Sequence, residues 1–462
     1  MKAGALFIIF PKGQHLFSVF AFPAGGLMIK WMKEKGNRKG YGKGLSGNEL
    51  KRFSIFSALA LFAAAFICDS PENILRGLWY IVVSRDALIT DYFVLGGQGA
   101  AFCNAALVML LCIFLVIRSK IPFTGPTMAA LFINAGYALW GKNPVNILPI
   151  LFGTWLYAKL HRVHFGRYIY TALFGTGLAP FVTEIVYLMP FSLPVDMALA
   201  AAAGIVIGFL LPPLSAHTAS MHMGYSLFNV GFSAGLLAFV MVCVLEALGM
   251  KSETVLLWRT GRPMPLVMGL FVYFLAAFLY GLYLEKGRLK NFLGIFRHPG
   301  RAVADFVLME GPGAALMNMA VIGALCVSYI FLVGGDFSGP VTGAVWMAFG
   351  FAAFGAHAKN FLPVLAGVYI FNLASRYEHG TPGIQLAALF GVGLSPIAGQ
   401  FGALAGVAAG MLHSAIVMCT AEMYGGLNLY NNGFSAGIVA IFLVPVLESF
   451  EKHREMRREK GK

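Results

Sequence analysis

From Phe53 to Phe450 the chain scarcely leaves apolar sequence. Runs long enough to cross ~30 Å of hydrocarbon follow one another, and no polar stretch between them could build a soluble domain. That confines the fold, because lipid offers no hydrogen bonds and each backbone N–H and C=O must find a partner within the protein. Composition agrees: 58% of residues are hydrophobic and only 12% charged, about half the charged share of a soluble globular chain. The expectation is an all-α integral membrane protein with roughly 10–14 transmembrane helices. Segments 72–94 and 168–190 carry Arg85, Asp86, Asp91, Glu184, Pro180 and Pro190, so re-entrant or broken helices are expected there.

The formal net charge of +14 is concentrated at a few places. Lys33, Lys35, Arg38, Lys39, Lys43, Lys51 and Arg52 precede Phe53. Lys286, Arg288, Lys290, Arg297 and Arg301 form one loop, and Lys452, Arg454, Arg457, Arg458, Lys460 and Lys462 follow Phe450. In a soluble protein these clusters would point to nucleic acid. Flanking apolar spans, they read as positive-inside anchors, with anionic lipid as a secondary partner and no nucleic acid. Cys68, Cys103, Cys112, Cys243, Cys326 and Cys419 form no CxxC pair and read as small buried hydrophobes. No metal site and no cofactor is expected. Ala5 to Phe10 is too short an apolar core for a cleavable signal peptide, and Met32 opens a more ordinary lead-in, as an alternative start would.

The chain is also duplicated. Asp91, Gly97, Gly99, Ala100, Ala101 and Asn104 recur as Asp305, Gly311, Gly313, Ala314, Ala315 and Asn318. Gly125-Pro126 recurs as Gly339-Pro340, and Gly141, Asn146, Leu148, Pro149, Leu151 and Gly153 as Gly355, Asn360, Leu362, Pro363, Leu365 and Gly367. Leu173-Phe174-Gly175 matches Leu389-Phe390-Gly391, and Asn229 with Gly231-Phe-Ser-Ala-Gly235 matches Asn431 with Gly433-Phe-Ser-Ala-Gly437. The organisation read from this is a basic cytoplasmic segment (1–52), repeat one (53–250), an extracytoplasmic linker (251–263), repeat two (264–450) and a basic cytoplasmic tail (451–462). With the basic ends placed in the cytoplasm, the first span of repeat one runs outward and its counterpart, 264–285, runs inward. The two repeats are therefore expected to have inverted topology, a recurrent transporter architecture with its site between the halves.

Polar residues inside apolar spans are costly and so informative. Asn104 and Asn318 hold matched positions, fit for an interhelical hydrogen bond or a pore. Asn146-Ile-Leu-Pro149 and Asn360-Phe-Leu-Pro363 have two readings: a proline break that exposes carbonyls to a solute, or a helix start with Asn capping and Pro in the first turn. The richest stretch runs from His217 through Ser220, His222 and Asn229 to Ser233. Its counterpart carries Glu422, Tyr424, Asn428, Asn431 and Ser435, with His413 upstream. Ser220 aligns with Glu422, His222 with Tyr424 and Glu184 with Gln400. Such mismatches are where a solute or proton path is expected, since ligand and ion coupling are rarely symmetric and His changes charge near neutral pH. The Gly-x-Ser-x-Gly blocks open apolar helices, not the strand–turn–helix that a nucleophile elbow needs. They read as GxxxG-type packing.

The tandem GxxxxNxLPxLxG and NxGFSAG blocks resemble a bacterial family of polytopic membrane proteins known only as a domain of unknown function. Leu75-Arg76-Gly77 and Gly426-Leu427-Asn428 are similar to urea-transporter motifs, and the run Gly96 to Ala106 resembles membrane subunits of redox-driven ion pumps. The urea-transporter Leu-Pro-Phe-Asn signature and the flavin-attachment Ser-Gly-Ala-Thr are missing. This resemblance implies a pore between inverted repeats, a bacterial inner-membrane location and a homo-oligomer. The expected function is a transporter or channel for a small polar or anionic solute. The alternatives are a membrane subunit of an energy-coupling complex and, further off, an intramembrane enzyme, for which no HExxH, DxxxxD or CxxC is present.

Overall fold

The apolar runs become helices. A computed structural model describes residues 45–460 apart from 87, 253–254 and 379. The greater part of the basic N-terminal segment, and the Met32 reading with it, lies outside the described residues. Ten described helical segments, two of them made of consecutive short helices, are long and apolar enough to cross a membrane.

Repeat one opens with α1 (Leu45–Cys68) and α2 (Pro71–Val83). Ser70 caps α2, Pro71 fills its first turn, and Ile74, Gly77 and Ile81 bury one stripe at helical spacing. A short strand, β1 (Leu88–Thr90), leads to α3 (Tyr92–Leu95) and α4 (Gln98–Arg118). Next come α5 (Gly125–Tyr137), a break over residues 138–143, and α6 (Pro144–Leu160). Of the two segments expected to be re-entrant or broken, 72–94 is divided among α2, β1 and α3, and 168–190 into α7 (Ile169–Gly175), a 3₁₀ turn and α8 (Ala179–Leu188), with Pro180 in the first turn of α8. The repeat closes with α9 (Leu193–Met221) and α10 (Asn229–Ala247).

Repeat two follows the same plan. After β2 (Val255–Leu257) come α11 (Met264–Leu284), α12 (Lys290–Ile295), α13 (Phe306–Glu310) and α14 (Pro312–Leu332). Then follow α15 (Gly339–Phe351), a break over 352–357, α16 (Ala358–Ala374), α17 (Pro382–Phe390), α18 (Ser395–Phe401), α19 (Ala403–Met423) and α20 (Asn431–Lys460). The linker between the repeats is tied to both. β2 pairs in parallel with β1, while Gly261 N–H and Trp258 Nε1–H donate to Asp336.

The half-helices α5 and α15 hold the centre. Each has thirteen residues, about 20 Å at 1.5 Å per residue. They lie side by side and antiparallel: the start of α5 at Gly125 faces the carbonyl of Ala353, and the start of α15 at Gly339 faces that of Leu139. Where they cross, a Cβ on Gly136 would strike the Gly343 carbonyl, and the reverse. Only glycine at both places permits that approach. Asp305 Oδ1 accepts from Gly125 N–H at 3.0 Å, and Asp91 Oδ1 from Gly339 N–H at 3.0 Å. Each repeat thus caps the half-helix of the other. Asp91 also accepts from Phe93 N–H and Arg259 N–H. Both carboxylates are buried.

Candidate functional site

Most of the matched polar residues hold backbone together. Asn104 Nδ2 donates to the carbonyls of Ala138 and Lys142, and Asn318 Nδ2 to those of Ala352 and Ala356. They fasten the buried C-terminal ends of α5 and α15 across the breaks. Asn146 sits in a capping box with Asn143, and Asn360 in one with His357. Pro149 and Pro363 then fall inside α6 and α16, packed on Gly204 and Gly406 of the neighbouring helix. Leu148 and Leu362 point outward. Neither reading of Asn-x-Leu-Pro holds in full: Asn146 and Asn360 are the third residues of helices capped by Asn143 and His357, and Pro149 and Pro363 lie beyond the first turn, inside the helices.

The Asn-x-Gly-Phe-Ser blocks pin hairpins. Asn229 Nδ2 donates to the Ser215 carbonyl and Asn431 Nδ2 to that of Val417. The hydroxyl of Ser233 meets Thr218 at 2.7 Å, and that of Ser435 meets Thr420 at 2.9 Å. Gly231 and Gly433 bring α10 and α20 into contact near the centre, as a packing motif should. Of the mismatched residues, His222 is closed off by Asn229 Oδ1 at 3.0 Å and Gly224 N–H. Glu184 is buried, ion-paired with Arg85 and bonded by Ser252. His217 and Gln400 are exposed, and the Glu422 side chain lies outside the described ones. Cys103, Cys112 and Cys326 are buried as expected, but Cys68, Cys243 and Cys419 stand on the outside of the helices. Apolar surroundings in sequence do not separate lipid-facing from protein-facing positions.

Several residues that lack partners lie elsewhere. The loop before α20 inserts into repeat one: Leu429 N–H donates to the Gly177 carbonyl, and the Tyr430 ring covers the face of Gly177, where a Cβ would strike it. The loop before α10 does the same in repeat two, with Leu227 N–H on the Gly393 carbonyl and Phe228 on Gly393. Tyr430 meets Tyr137 edge to face at 5.2 Å, and Phe228 meets Phe351 in the same way at 4.8 Å. The backbone plan is one; the chemistry is not.

On the Tyr430 side lies Lys142, wholly buried. Its Nζ donates to Asn134 Oδ1 at 2.8 Å and stands 5.0 Å from the centre of the Tyr137 ring. Thr176 Oγ1 donates to the same Asn134 oxygen, while Asn134 Nδ2 is held by the carbonyls of Ala130 and Leu173. Trp140 packs edge to face on Tyr137. In register, repeat two has Ala356 for Lys142, Ala348 for Asn134, Phe351 for Tyr137, Phe354 for Trp140, Val392 for Thr176 and Phe228 for Tyr430. Every one is apolar.

Among the described residues, buried polar atoms without a hydrogen-bond partner occur in both repeats, Asn104 Oδ1, Asn318 Oδ1, Thr342 Oγ1, Ser395 Oγ and the Tyr424 hydroxyl among them, and several lie here. They include the hydroxyls of Tyr137 and Tyr430 and the indole N–H of Trp140. Asn428 Nδ2, the Oδ1 atoms of Asn431 and Asn432, and both ring nitrogens of His413 join them; Asn432 lies beside that ring. Of the residues singled out in sequence, His413 lies in α19, Asn428 in the loop before α20 and Asn431 at the start of α20, where its N–H donates to the Asn428 carbonyl. Lys142, Asn134, Tyr137, Trp140, Thr176 and Tyr430 were not among them. The mismatch rule would have found Lys142 against Ala356 had it been applied to the break after α5.

These features define a multi-pass helical membrane protein built from two equivalent halves, whose lipid-facing helices carry exposed Phe, Leu and Val. The chain belongs to the family described as Protein of unknown function (DUF1576), which matches residues 70–247 and 284–449. The two matched stretches accord with the duplication. No curated protein and no solved structure matches the chain.

Proposed function

We propose that this protein moves a small polar or anionic solute across a bacterial inner membrane, with its two halves inverted and the basic ends on the cytoplasmic side. One observation carries the reading: the buried polar centre at the break after α5. In hydrocarbon each unpaired polar atom costs free energy, and the same fold in repeat two fills the same place with apolar side chains. The centre is therefore not a demand of the scaffold, which is what a solute site between halves looks like. The broken helices supply a further condition, since irregular backbone in a membrane persists where it is packed in protein or lines a path. The exposed basic loop at Lys286, Arg288, Lys290 and Arg297 fits contact with anionic lipid. Catalysis and a resident cofactor are not part of this reading.

Purified protein in liposomes provides the test. Stopped-flow light scattering would report uncharged solutes, and an ion-selective electrode would report anions. Flux above that of empty liposomes for at least one class is expected. Equal permeability to every solute in both would overturn transport.

A further inference from the structure

Around Lys142 the hydroxyls can donate or accept, and the Trp140 indole can only donate. The Lys142 ammonium has three N–H bonds and, among the described residues, one hydrogen-bond acceptor, Asn134 Oδ1; no described carboxylate pairs with it. That acceptor is shared with Thr176 Oγ1. The hydroxyls of Tyr137 and Tyr430 and the Trp140 N–H have no acceptor among the described residues. Lys142 is 0% exposed, Tyr137 and Tyr430 1%, and Trp140 4%. The three rings and the ammonium form one contact cluster, with Tyr137 at its middle: Trp140 is 5.5 Å away, Tyr430 5.2 Å and Nζ 5.0 Å.

A buried cation beside several unpaired O–H and N–H groups lacks one thing, a negative acceptor. We propose that Lys142, Tyr137, Tyr430 and Trp140 bind a small monovalent anion of halide, nitrate or formate size. One lysine charge sets the valence, because a dianion would leave a buried charge unpaired. The close ring packing sets the size. The equivalent place in repeat two, with Ala356, Phe351, Phe228 and Phe354, has none of these donors, so the anion binds on one side only. As the carried solute, this anion rests on the transport reading; as a bound ligand it does not.

The test uses the full-length protein in detergent. Its thermal unfolding is followed in sodium salts at fixed ionic strength, with gluconate replaced stepwise by chloride, nitrate, thiocyanate or formate. The wild type should show a saturable rise in Tm with at least one small anion, as linkage requires for a ligand of the native state. Lys142→Met should lose that rise. The Tyr137→Phe/Tyr430→Phe variant, which keeps the charge, should need about ten-fold more anion, the loss of roughly one hydrogen bond's worth of affinity. An equal anion response in wild type and Lys142→Met would overturn the site. So would a flat wild-type response together with Tyr-to-Phe variants as stable as wild type, the outcome for a neutral lysine among water-bonded hydroxyls. A Lys142-dependent rise without flux in liposomes would retain the site and remove transport. Flux without that dependence would remove the site alone.

Discussion

Lys142 and Ala356 occupy one place in the two halves, and the free-energy difference between them is large. A charged lysine buried inside a membrane protein is costly unless it is paired. Here the Asn134 oxygen and the Tyr137 ring offset only part of that. Lys142→Met, close in volume and without charge, is therefore expected to unfold at a higher temperature than wild type when gluconate is the only anion; a lower Tm in that buffer would contradict this. Asp91 and Asp305 make the opposite case. Each accepts from the first N–H of the other repeat's half-helix and from N–H groups of its own. Asp91→Ala and Asp305→Ala should each cost about 1–2 kcal/mol, the upper range for a lost cap. The Asn variants, which keep one acceptor oxygen, should cost less. Chemical denaturation in detergent would rank them.

Glycine decides what the elements can do. α5 and α15 touch backbone to backbone at Gly136 and Gly343, and those thirteen-residue helices are too short to cross the membrane alone. Their crossing, their reciprocal caps and the Asn104 and Asn318 clamps at their far ends form one unit. A side chain at the crossing has nowhere to go, because the atom it would meet is a carbonyl and not a flexible tip. Gly136→Val or Gly343→Val is expected to abolish the monodisperse peak in size-exclusion chromatography, whereas Gly269→Val, with open space around it, should leave it unchanged. The two loops that insert across the halves are a second element-level device. Each buries an aromatic ring on a glycine of the opposite broken helix, and only the choice of Tyr430 over Phe228 makes one of them polar.

For the whole molecule, the proposed inversion has equivalent positions of the repeats facing opposite sides of the bilayer. Lys120 and Gly334 are such a pair: both are exposed, both close the helix before them with a positive φ, and they match in register. In a background without the native cysteines, Lys120→Cys should react with a membrane-impermeant maleimide from the cytoplasmic face and Gly334→Cys from the other. Labelling of both from one face would refute the inversion.

Much of this organisation is legible in the sequence. Apolar run length dictates spanning helices, since lipid cannot hydrogen-bond to backbone. The recurring Gly, Pro, Asp and Asn positions mark the scaffold, because each is needed for a break, a cap or a close contact that both halves repeat. Pro180 and Glu184 already flag the broken segment. What the one-dimensional pattern leaves out is which half each bond serves. Asp91 and Gly125 read as neighbours within one repeat, yet each bonds to the other repeat, through contacts some 180 and 248 residues apart. The same holds at the polar centre. Glu184 and His222 look available in sequence and are satisfied in space, while Lys142 looks like a loop lysine and is buried. Burial and pairing depend on what the opposite half inserts, and only the tertiary structure places Tyr430 over Gly177 beside that lysine.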